Sequence, residues 1–298
     1  MKVAVTGSSG LIGSALVAAL RADGHQVIRL VRGGPAAQDA VIWDPRAERG
    51  GLDPRSLDGV AAVVHLAGAS IAGKRWTEGY QAEIRNSRVQ GTRALVRALA
   101  AMTTPPGALL AGSAVGWYGD TGGREVTEDD PAGQGFLPEV VRDWEAAAAE
   151  AAPAGIRVVT LRSGLVMSPK GGILGRMLPL FRLGVGGRIG SGKQVMSWIG
   201  LSEWMAAARF LLGRADIAGP VNLTTPNPVS NAEFTAALAA AVHRPAVMLV
   251  PVPALKLAVG GVSSDILSSA RVMPQRLLAE GYRFQHPGIA GALAAELG

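Results

Sequence analysis

The stretch that decides the fold is KVAVTGSSGLIG at residues 2–13, the start of a pattern that continues to Arg32. Its first five residues are mostly apolar and β-branched, which is typical of a buried parallel strand. A glycine-rich turn follows at 7–13, then an amphipathic helical pattern that ends at Gly24, and then the apolar run QVIRLV at 26–31. Strand, glycine turn, helix and strand within about thirty residues form the βαβ unit that binds a dinucleotide.

Each glycine of the turn has a physical role. Gly7 permits the tight turn, Gly10 lets backbone N–H groups approach a pyrophosphate, and Gly13 lets the helix pack closely on the strand. The N-terminus of the helix then directs its positive dipole end at the phosphates. A tight turn without a ligand is the alternative, but the strand before it and the helix after it favour binding. The predicted contacts are Gly7, Ser9, Gly10, Leu11 and Ile12.

Arg32 indicates which dinucleotide is bound. NAD sites usually end the second strand with an acidic residue that accepts hydrogen bonds from the ribose 2′-hydroxyl. Here the strand ends at Arg32, and the first acid downstream is Asp39. A guanidinium can pair bidentately with a 2′-phosphate and stack on adenine. The sequence therefore predicts NADP as cofactor, with a solvated surface arginine as the alternative.

Composition excludes several classes of function. The chain has 298 residues, of which 48% are hydrophobic, so it can bury a large core in one or two domains. It contains no cysteine, which excludes disulfides and thiolate catalysis, and its four histidines are scattered, so we expect no metal site. The net charge of +6 comes from dispersed basic residues, which favours attraction to small anions over binding of nucleic acid.

Two segments of the sequence bear on where in the cell the protein is found. The first strand begins directly after Met1, so we expect no signal peptide. The most apolar late stretch, 246–261, is interrupted by Pro251, Pro253 and Lys256 and is too short to span a bilayer. These features predict a cytoplasmic protein without a membrane partner.

Further strands predict the fold class. Residues 60–68, 108–113 and 157–162 are apolar runs separated by helical patterns, as in a Rossmann doubly wound parallel sheet. Beyond 166 the alternation gives way to glycine-rich loops and shorter elements. We therefore predict an α/β protein with an NADP-binding Rossmann domain at 1–166, to which roughly 195–225 return. Residues 167–298 are predicted to form a smaller C-terminal α/β region that binds substrate.

Several motifs along the chain, taken together, resemble the atypical short-chain dehydrogenase/reductases called epimerase family proteins. That family is similar to nucleotide-sugar epimerases and carries a C-terminal extension. The motifs are the G-x-x-G-x-x-G turn, Leu66-Ala67-Gly68, Ser87-Arg88, Trp144-Glu145, the run 190–199, Asn231–Phe234 and Pro274-x-Arg276.

The resemblance implies further cofactor contacts. It places Leu66, Ala67 and Gly68 against the cofactor riboses, and Gly164 and Val166 beside the nicotinamide. It also brings Ser113 near the cofactor, as well as Glu83 and Arg88 on the helix predicted over 77–101. Arg88 stands where extended members carry an asparagine, so it is expected to reach a cofactor phosphate or an acidic substrate group. The alternative is an exposed ion pair between Glu83 and Arg88.

The acid/base pair of the superfamily is missing. Extended members carry Tyr-x-x-x-Lys on the helix that includes 136–146, and here Val140 and Trp144 take those positions. The remaining candidates for proton transfer are Ser113, Tyr118 and Glu145. Each also has a structural reading: a strand-end cap, a packed aromatic side chain and a helix-surface acid.

Two functions follow from these features. The first is an NADP-dependent oxidoreductase or epimerase-like enzyme that acts on a small substrate, for which an anionic one suits the basic charge. The second is a non-catalytic NADP(H)-binding sensor or interaction protein that has lost the acid/base pair. The sequence leaves the substrate, the proton donor and the oligomeric state open.

Overall fold

A computed structural model describes residues 1–33, 37–47 and 50–298. Its strands are β1 (Lys2–Thr6), β2 (Gln26–Val31), β3 (Ala40–Ile42), β4 (Ala62–His65), β5 (Ala108–Ala114), β6 (Glu125–Val126), β7 (Arg157–Ser163), β8 (Leu165–Met167), β9 (Gly187–Ile189), β10 (Val195–Met196), β11 (Trp198–Gly200), β12 (Gly219–Leu223), β13 (Val229–Ser230), β14 (Met248–Val250) and β15 (Arg271–Val272). Its α-helices are α1 (Leu11–Ala22), α2 (Glu78–Ala100), α3 (Phe136–Ala149), α4 (Gly172–Arg182), α5 (Leu201–Gly213), α6 (Asn231–Ala241), α7 (Val252–Val259), α8 (Ser263–Leu267), α9 (Gln275–Ala279) and α10 (Ile289–Leu297).

The central sheet has seven strands in the order β12-β7-β5-β4-β1-β2-β3. All of its pairings are parallel. The chain runs outward from β1 through β2 to β3 and then crosses to β4 on the other side of β1. The strand order therefore reverses between β1 and β4, and ligands of doubly wound sheets bind outside the carboxyl ends of the strands at such a point. The predicted Rossmann fold class is confirmed.

Helices cover both faces of this sheet. On one face α1 and α5 pack against the strands through buried side chains that include Leu16, Leu20 and Trp204. On the other face α2 and α3 contribute Leu95, Leu99 and Ala148. Because the central strands are buried on both sides, they read as continuous apolar runs rather than as alternating ones.

The C-terminal half has its own core but remains joined to the central sheet. Met167, Leu174, Trp198, Phe234 and Leu293 belong to a separate buried cluster. The edge strand β12 nevertheless pairs with β7, and α5 packs on the same sheet. Strand β15 pairs in parallel with β6, which lies between β5 and α3 in the chain. Hydrogen-bonded strands therefore tie the late segments to the early ones.

The described ranges also bear on membrane spans and metal sites. Among the helices placed at 1–33, 37–47 and 50–298, none has the length and apolarity needed to cross a bilayer. Within the same ranges, no three His, Asp or Glu side chains group as a metal ion would require.

Candidate functional site: the carboxyl edge of the central sheet

The glycine turn is set close against the loop that follows β4. Gly7 has φ +64°, and a methyl group there would lie 2.6 Å from the Leu66 carbonyl oxygen. A methyl group at Gly13 would lie only 2.1 Å from the Gly7 carbonyl oxygen, so α1 packs tightly on the turn. Gly10, by contrast, is exposed, and a methyl group there would meet only the Gly7 carbonyl oxygen, at 3.3 Å.

The N-terminus of α1 has space for an anion and backbone N–H groups that could bind it. Gly10 is its N-cap residue and supplies no side-chain cap, so the first-turn N–H groups have no side-chain partner there. Ser9 is exposed, and Leu11 and Ile12 are half-buried at the same end. A methyl group at Gly171 would lie 3.4 Å from Leu11 Cδ1, which shows that the loop before α4 passes beside this turn. The arrangement fits a pyrophosphate at the N-terminus of the helix.

A buried hydrogen-bonded chain holds the loop after β4 in place. The Thr6 hydroxyl oxygen accepts from the N–H groups of Leu66 and Ala67 at 3.0 and 3.1 Å. With both lone pairs engaged, this hydroxyl donates to His65 Nδ1, 2.7 Å away. His65 Nε2 therefore carries the ring proton and donates to the Thr92 hydroxyl at 2.9 Å. Burial lowers the pKa of His65 to about 4, so the ring is neutral at neutral pH.

Sequence reasoning missed this chain, although one signal was present. His65 ends a strand that is otherwise wholly apolar, and a buried imidazole requires hydrogen-bond partners. The partners, Thr6 and Thr92, come from a neighbouring strand and from α2. No local pattern connects these three positions.

Arg88 lies beneath the predicted ribose-contacting turn. Its side chain is buried, and Nη1 donates to the backbone carbonyls of Ala69 and Ile84 at 3.0 and 3.1 Å. A methyl group at Gly68 would lie 3.3 Å from Arg88 Cζ. Burial lowers the pKa of Arg88 to about 10, which leaves it charged at neutral pH. The alternative of an exposed ion pair with Glu83 is wrong for Arg88, whereas Glu83 itself is exposed.

Arg32 follows the last residue of β2 and is exposed. The nearest downstream acid, Asp39, is engaged by another arginine: Arg29 Nε and Nη2 each donate to its carboxylate at 2.8 Å. This hydrogen bonding lowers the pKa of Asp39 to about 2. Because Asp39 already pairs with Arg29, it is poorly placed to serve as the ribose acceptor of an NAD site.

Apolar side chains pack at the positions of the missing acid/base pair. Val140 is buried in a cluster with Tyr80 and Ile84, against which Trp76 and Phe136 pack. This cluster can exclude water from the position that the family's tyrosine would occupy.

Trp144 fills the other position of the pair. Its indole is buried, with the Arg88 guanidinium 5.0 Å from the ring centroid. A methyl group at Gly112 would lie 3.0 Å from Trp144 Cζ2 and 3.1 Å from the His65 carbonyl oxygen. Gly112 therefore makes the room that this indole needs at the end of β5.

The three candidate proton donors converge on Arg162 of β7. Glu145 forms a bidentate pair with Arg162, at 2.8 Å to Nε and 2.9 Å to Nη2, and also accepts from the Ser113 hydroxyl at 2.5 Å. Tyr118 accepts from Arg162 Nη1 at 3.0 Å and donates to Asn222 Oδ1 at 2.8 Å. Burial raises the pKa of Tyr118 to about 12. These side chains are thus hydrogen-bonded to interior groups.

The Arg162 network extends to the C-terminal segment. The Arg162 guanidinium stacks 3.9 Å from the Trp117 ring centroid. The Glu128 carboxylate, which is buried, accepts from the N–H groups of Asn222 and Arg276 at 2.9 and 3.3 Å. Asn222 Nδ2 in turn donates to the Met273 carbonyl at 2.9 Å. The network therefore connects β5, α3, β7, β12 and the residues before α9.

Gly164 and Val166 lie at the end of β7. A methyl group at Gly164 would lie 2.8 Å from the carbonyl oxygen of Ser197, so the residue between β10 and β11 packs directly against this glycine. Val166 is half-buried in β8 and is paired with Ile199 of β11. Both positions follow the end of β7, and β11 lies alongside β8 there.

A basic loop adjoins this edge of the sheet. The β4–α2 loop, defined as residues 66–77, includes Lys74 and Arg75, both exposed. Arg176 of α4 donates from Nη2 to the Ala72 carbonyl at 2.9 Å. A methyl group at Gly260 would lie 3.2 Å from Arg75 Nε, so the segment after α7 touches the loop. Sequence reasoning missed this loop, which carries no motif.

Residues 3–223 match the model of the NAD dependent epimerase/dehydratase family. The chain belongs to this family. Residues 250–296 match a second family model, described as a domain of unknown function, DUF1731. The resemblance stated from the sequence motifs is thereby confirmed, including the C-terminal extension.

Relatives and solved structures agree with this assignment. An epimerase family protein of Mycobacterium bovis is 46% identical over 292 residues, covering 98% of this chain and 96% of the relative. The crystal structure of human epimerase family protein SDR39U1 (isoform 2) with NADPH matches at a TM-score of 0.91 and 34% identity, covering 99% of this chain and 98% of that one. A nucleoside-diphosphate sugar epimerase of Corynebacterium glutamicum matches at a TM-score of 0.83 and 37% identity, covering all of this chain (100%) and 58% of that one.

Proposed function

We propose that this protein binds NADP(H) and acts as an oxidoreductase or epimerase-like enzyme on a small anionic substrate. The observation that carries the proposal is the open glycine turn, which is fixed against Leu66 and backed by the Thr6–His65 hydrogen bonds. Such a turn, at the point where the strand order reverses, suits a dinucleotide.

The residues present fit NADP(H). Gly10 and the first-turn N–H groups of α1 would hold the pyrophosphate, and exposed Arg32 would pair with the 2′-phosphate. The backbone at Leu66–Gly68, which lacks bulky side chains at Ala67 and Gly68, would lie along the riboses. The crystal structure of human SDR39U1 with NADPH supports this choice of cofactor.

When bound, NADPH would supply a hydride. This chain would position the cofactor and the substrate and exclude water from the site. It would not supply the usual tyrosine proton donor. Val140 and Trp144 exclude water at the positions of the family pair, and Tyr118 holds its proton in a bond to Asn222. The proton would therefore come from a group other than a tyrosine with a lysine beside it.

The substrate class is inferred from charge. Lys74, Arg75 and Arg176 lie on or against the β4–α2 loop, next to the carboxyl end of β4. Aromatic side chains of the Val140 cluster, Trp76 and Phe136, contact each other at 5.1 Å between ring centroids. A substrate with an apolar body and a carboxylate or phosphate would suit both features.

A non-catalytic role as an NADP(H)-binding sensor is the second candidate. It is favoured by the inward hydrogen bonds of Ser113, Tyr118 and Glu145, which satisfy the candidate proton donors within the fold. In this reading the cofactor site is retained for binding alone.

A single experiment separates the two. Calorimetry measures NADPH binding to the purified protein, and single-turnover absorbance then follows NADPH oxidation with aldehydes, ketones and quinones, each with and without an anionic group. Oxidation that prefers the anionic members supports the enzyme, and Gly10→Val serves as the binding-deficient control. Tight binding without oxidation across the panel would favour the sensor. A protein that binds no NADPH would contradict both.

A further inference from the structure

Aliphatic side chains are strongly exposed where the end of α4, the β9–β14 pair and α7 adjoin. We name this region the aliphatic surface and define it by seven residues that are 51–83% exposed. Soluble proteins rarely leave a contiguous group of this kind open to water, and such patches mark sites of interaction. The residues are Leu180, Leu183, Val185, Val247, Met248, Leu249 and Leu257.

The aliphatic surface is contiguous because its elements are hydrogen-bonded side by side. Strand β14 pairs in parallel with β9, with Met248 opposite Gly187. Arg244 Nε donates to the Arg182 carbonyl at 3.3 Å, which places the chain after α6 beside the end of α4. A methyl group at Gly187 would lie 1.9 Å from the Met248 carbonyl oxygen, so this pairing is close. Helix α7 follows β14 after Pro251 and carries Leu257.

The segments that carry this surface are rich in basic side chains. The chain contains no Asp or Glu between residues 151 and 202, or between 234 and 264. Four basic side chains in these elements are exposed: Arg182, Arg188, Arg244 and Lys256. Glu233 lies at the N-terminal end of α6, away from Arg244, and its carboxylate accepts from the Ser230 N–H and hydroxyl. Within the described part of the chain, none of the four basic residues forms an ion pair with a carboxylate.

We propose that the aliphatic surface binds peripherally to an anionic lipid bilayer. Leucine, valine and methionine would enter the boundary between headgroups and acyl chains, while the four basic residues would face the headgroup charge. This differs from the sequence-based expectation of no membrane partner, which considered only a spanning segment. A peripheral surface requires no spanning helix.

Two other occupants fit the observations less well. A second copy of the chain would bring basic side chains opposite basic side chains, which is unfavourable. A protein partner generally meets aromatic anchors, and none of the seven exposed apolar residues is aromatic. Lipid suits an aliphatic face with a basic rim.

The experiment is co-sedimentation of the full chain with vesicles of phosphatidylcholine, with or without phosphatidylglycerol. We expect binding to vesicles with phosphatidylglycerol, little binding to phosphatidylcholine alone, and weakening as salt is added. Leu183→Gln/Val247→Gln/Leu257→Gln and, separately, Arg182→Gln/Lys256→Gln should each lower the partition coefficient roughly tenfold or more. Ile42→Gln is the matched control, because Ile42 is also exposed but lies on the edge strand β3, and it should bind as the native protein does.

Several results would overturn the proposal. One is failure of the native protein to sediment with the anionic vesicles, and another is equal binding to both vesicle types. Unchanged binding of both multiple variants would show that another surface is responsible. If light scattering instead revealed a dimer that the aliphatic variant dissociates, or if polyglutamate but not vesicles bound, the occupant would be a protein chain rather than lipid.

Discussion

At the scale of single residues, Arg32 is the side chain that we propose selects the cofactor. A charge-assisted hydrogen bond typically contributes about 1.5–3 kcal/mol. Arg32→Ala should therefore weaken NADPH binding by roughly tenfold or more and leave NADH binding almost unchanged. Calorimetry with both cofactors provides the measurement. Equal affinity of the native protein for NADPH and NADH would contradict the assignment.

Protonation of His65 should destabilise the fold in acid. An unfolded histidine titrates near 6.5, whereas burial lowers the pKa of folded His65 to about 4. Since the unfolded chain binds this proton first, stability that is intact above pH 6.5 is lost as the pH falls towards 4. In the protonated ring Nδ1 is also a donor, so it can no longer accept the hydrogen bond from the Thr6 hydroxyl.

The measurement is urea unfolding of the native protein and of His65→Gln across this range. The native protein should lose more stability than the variant between pH 6.5 and 4, because only it gains the buried charge. Parallel curves for the two proteins would show that the ring is not buried as described.

Tyr118 is expected to support the fold rather than catalysis. Tyr118→Phe leaves Asn222 Oδ1 without its hydroxyl donor and leaves Arg162 Nη1 with the Glu128 carbonyl, at 3.3 Å, as its acceptor. The loss should reduce the free energy of unfolding by about 1–3 kcal/mol. With any substrate that oxidises NADPH, the single-turnover rate should fall far less than the roughly 10²–10⁴-fold expected for an essential acid. A thousandfold loss at unchanged NADPH affinity would identify Tyr118 as the acid.

At the scale of elements, the turn between β1 and α1 separates two kinds of glycine. Gly10→Val should abolish NADPH binding with little effect on folding, because among the described residues its Cβ would closely approach only the Gly7 carbonyl oxygen, at 3.3 Å. Gly13→Ala should instead destabilise the protein, since the new methyl group would lie 2.1 Å from that same oxygen. Thermal unfolding and NADPH titration of both variants test the contrast. Unchanged NADPH affinity in Gly10→Val would show that the turn does not bind the cofactor.

Elements with local signals were predictable from the sequence. Apolar patterning and turn residues within a few positions predict the first strand, the glycine turn and the strand β4. The Arg162 network was not predictable in this way. Tyr118 meets Asn222 across 104 residues and Ser113 meets Glu145 across 32, so only the folded sheet brings them together. Arg88 was misread as a surface residue in one alternative because its burial depends on Gly68 and Trp144.

At the scale of the whole molecule, Glu128 joins the two halves. Glu128→Ala would leave the N–H groups of Asn222 and Arg276 without their carboxylate partner, at a cost of about 1–3 kcal/mol. We expect the segment after β15 to become more sensitive to limited proteolysis, with the cut sites mapped by mass spectrometry. Glu125→Ala, at a nearby exposed residue, is the control. Equal proteolysis of both variants would argue against a coupling role for Glu128.

Strand β12 is translated well after β7, the strand with which it pairs, and this order matters during synthesis on the ribosome. Strand β7 pairs with β5 on one side, but its other neighbour, β12, begins only at Gly219. While residues 164–218 are being translated, β7 therefore presents an open row of N–H and C=O groups, to which a neighbouring nascent chain could add a strand. Translation proceeds at about 5–20 residues per second, so this vulnerable interval lasts seconds. Slower elongation across that segment would lengthen the time for which this strand edge is open.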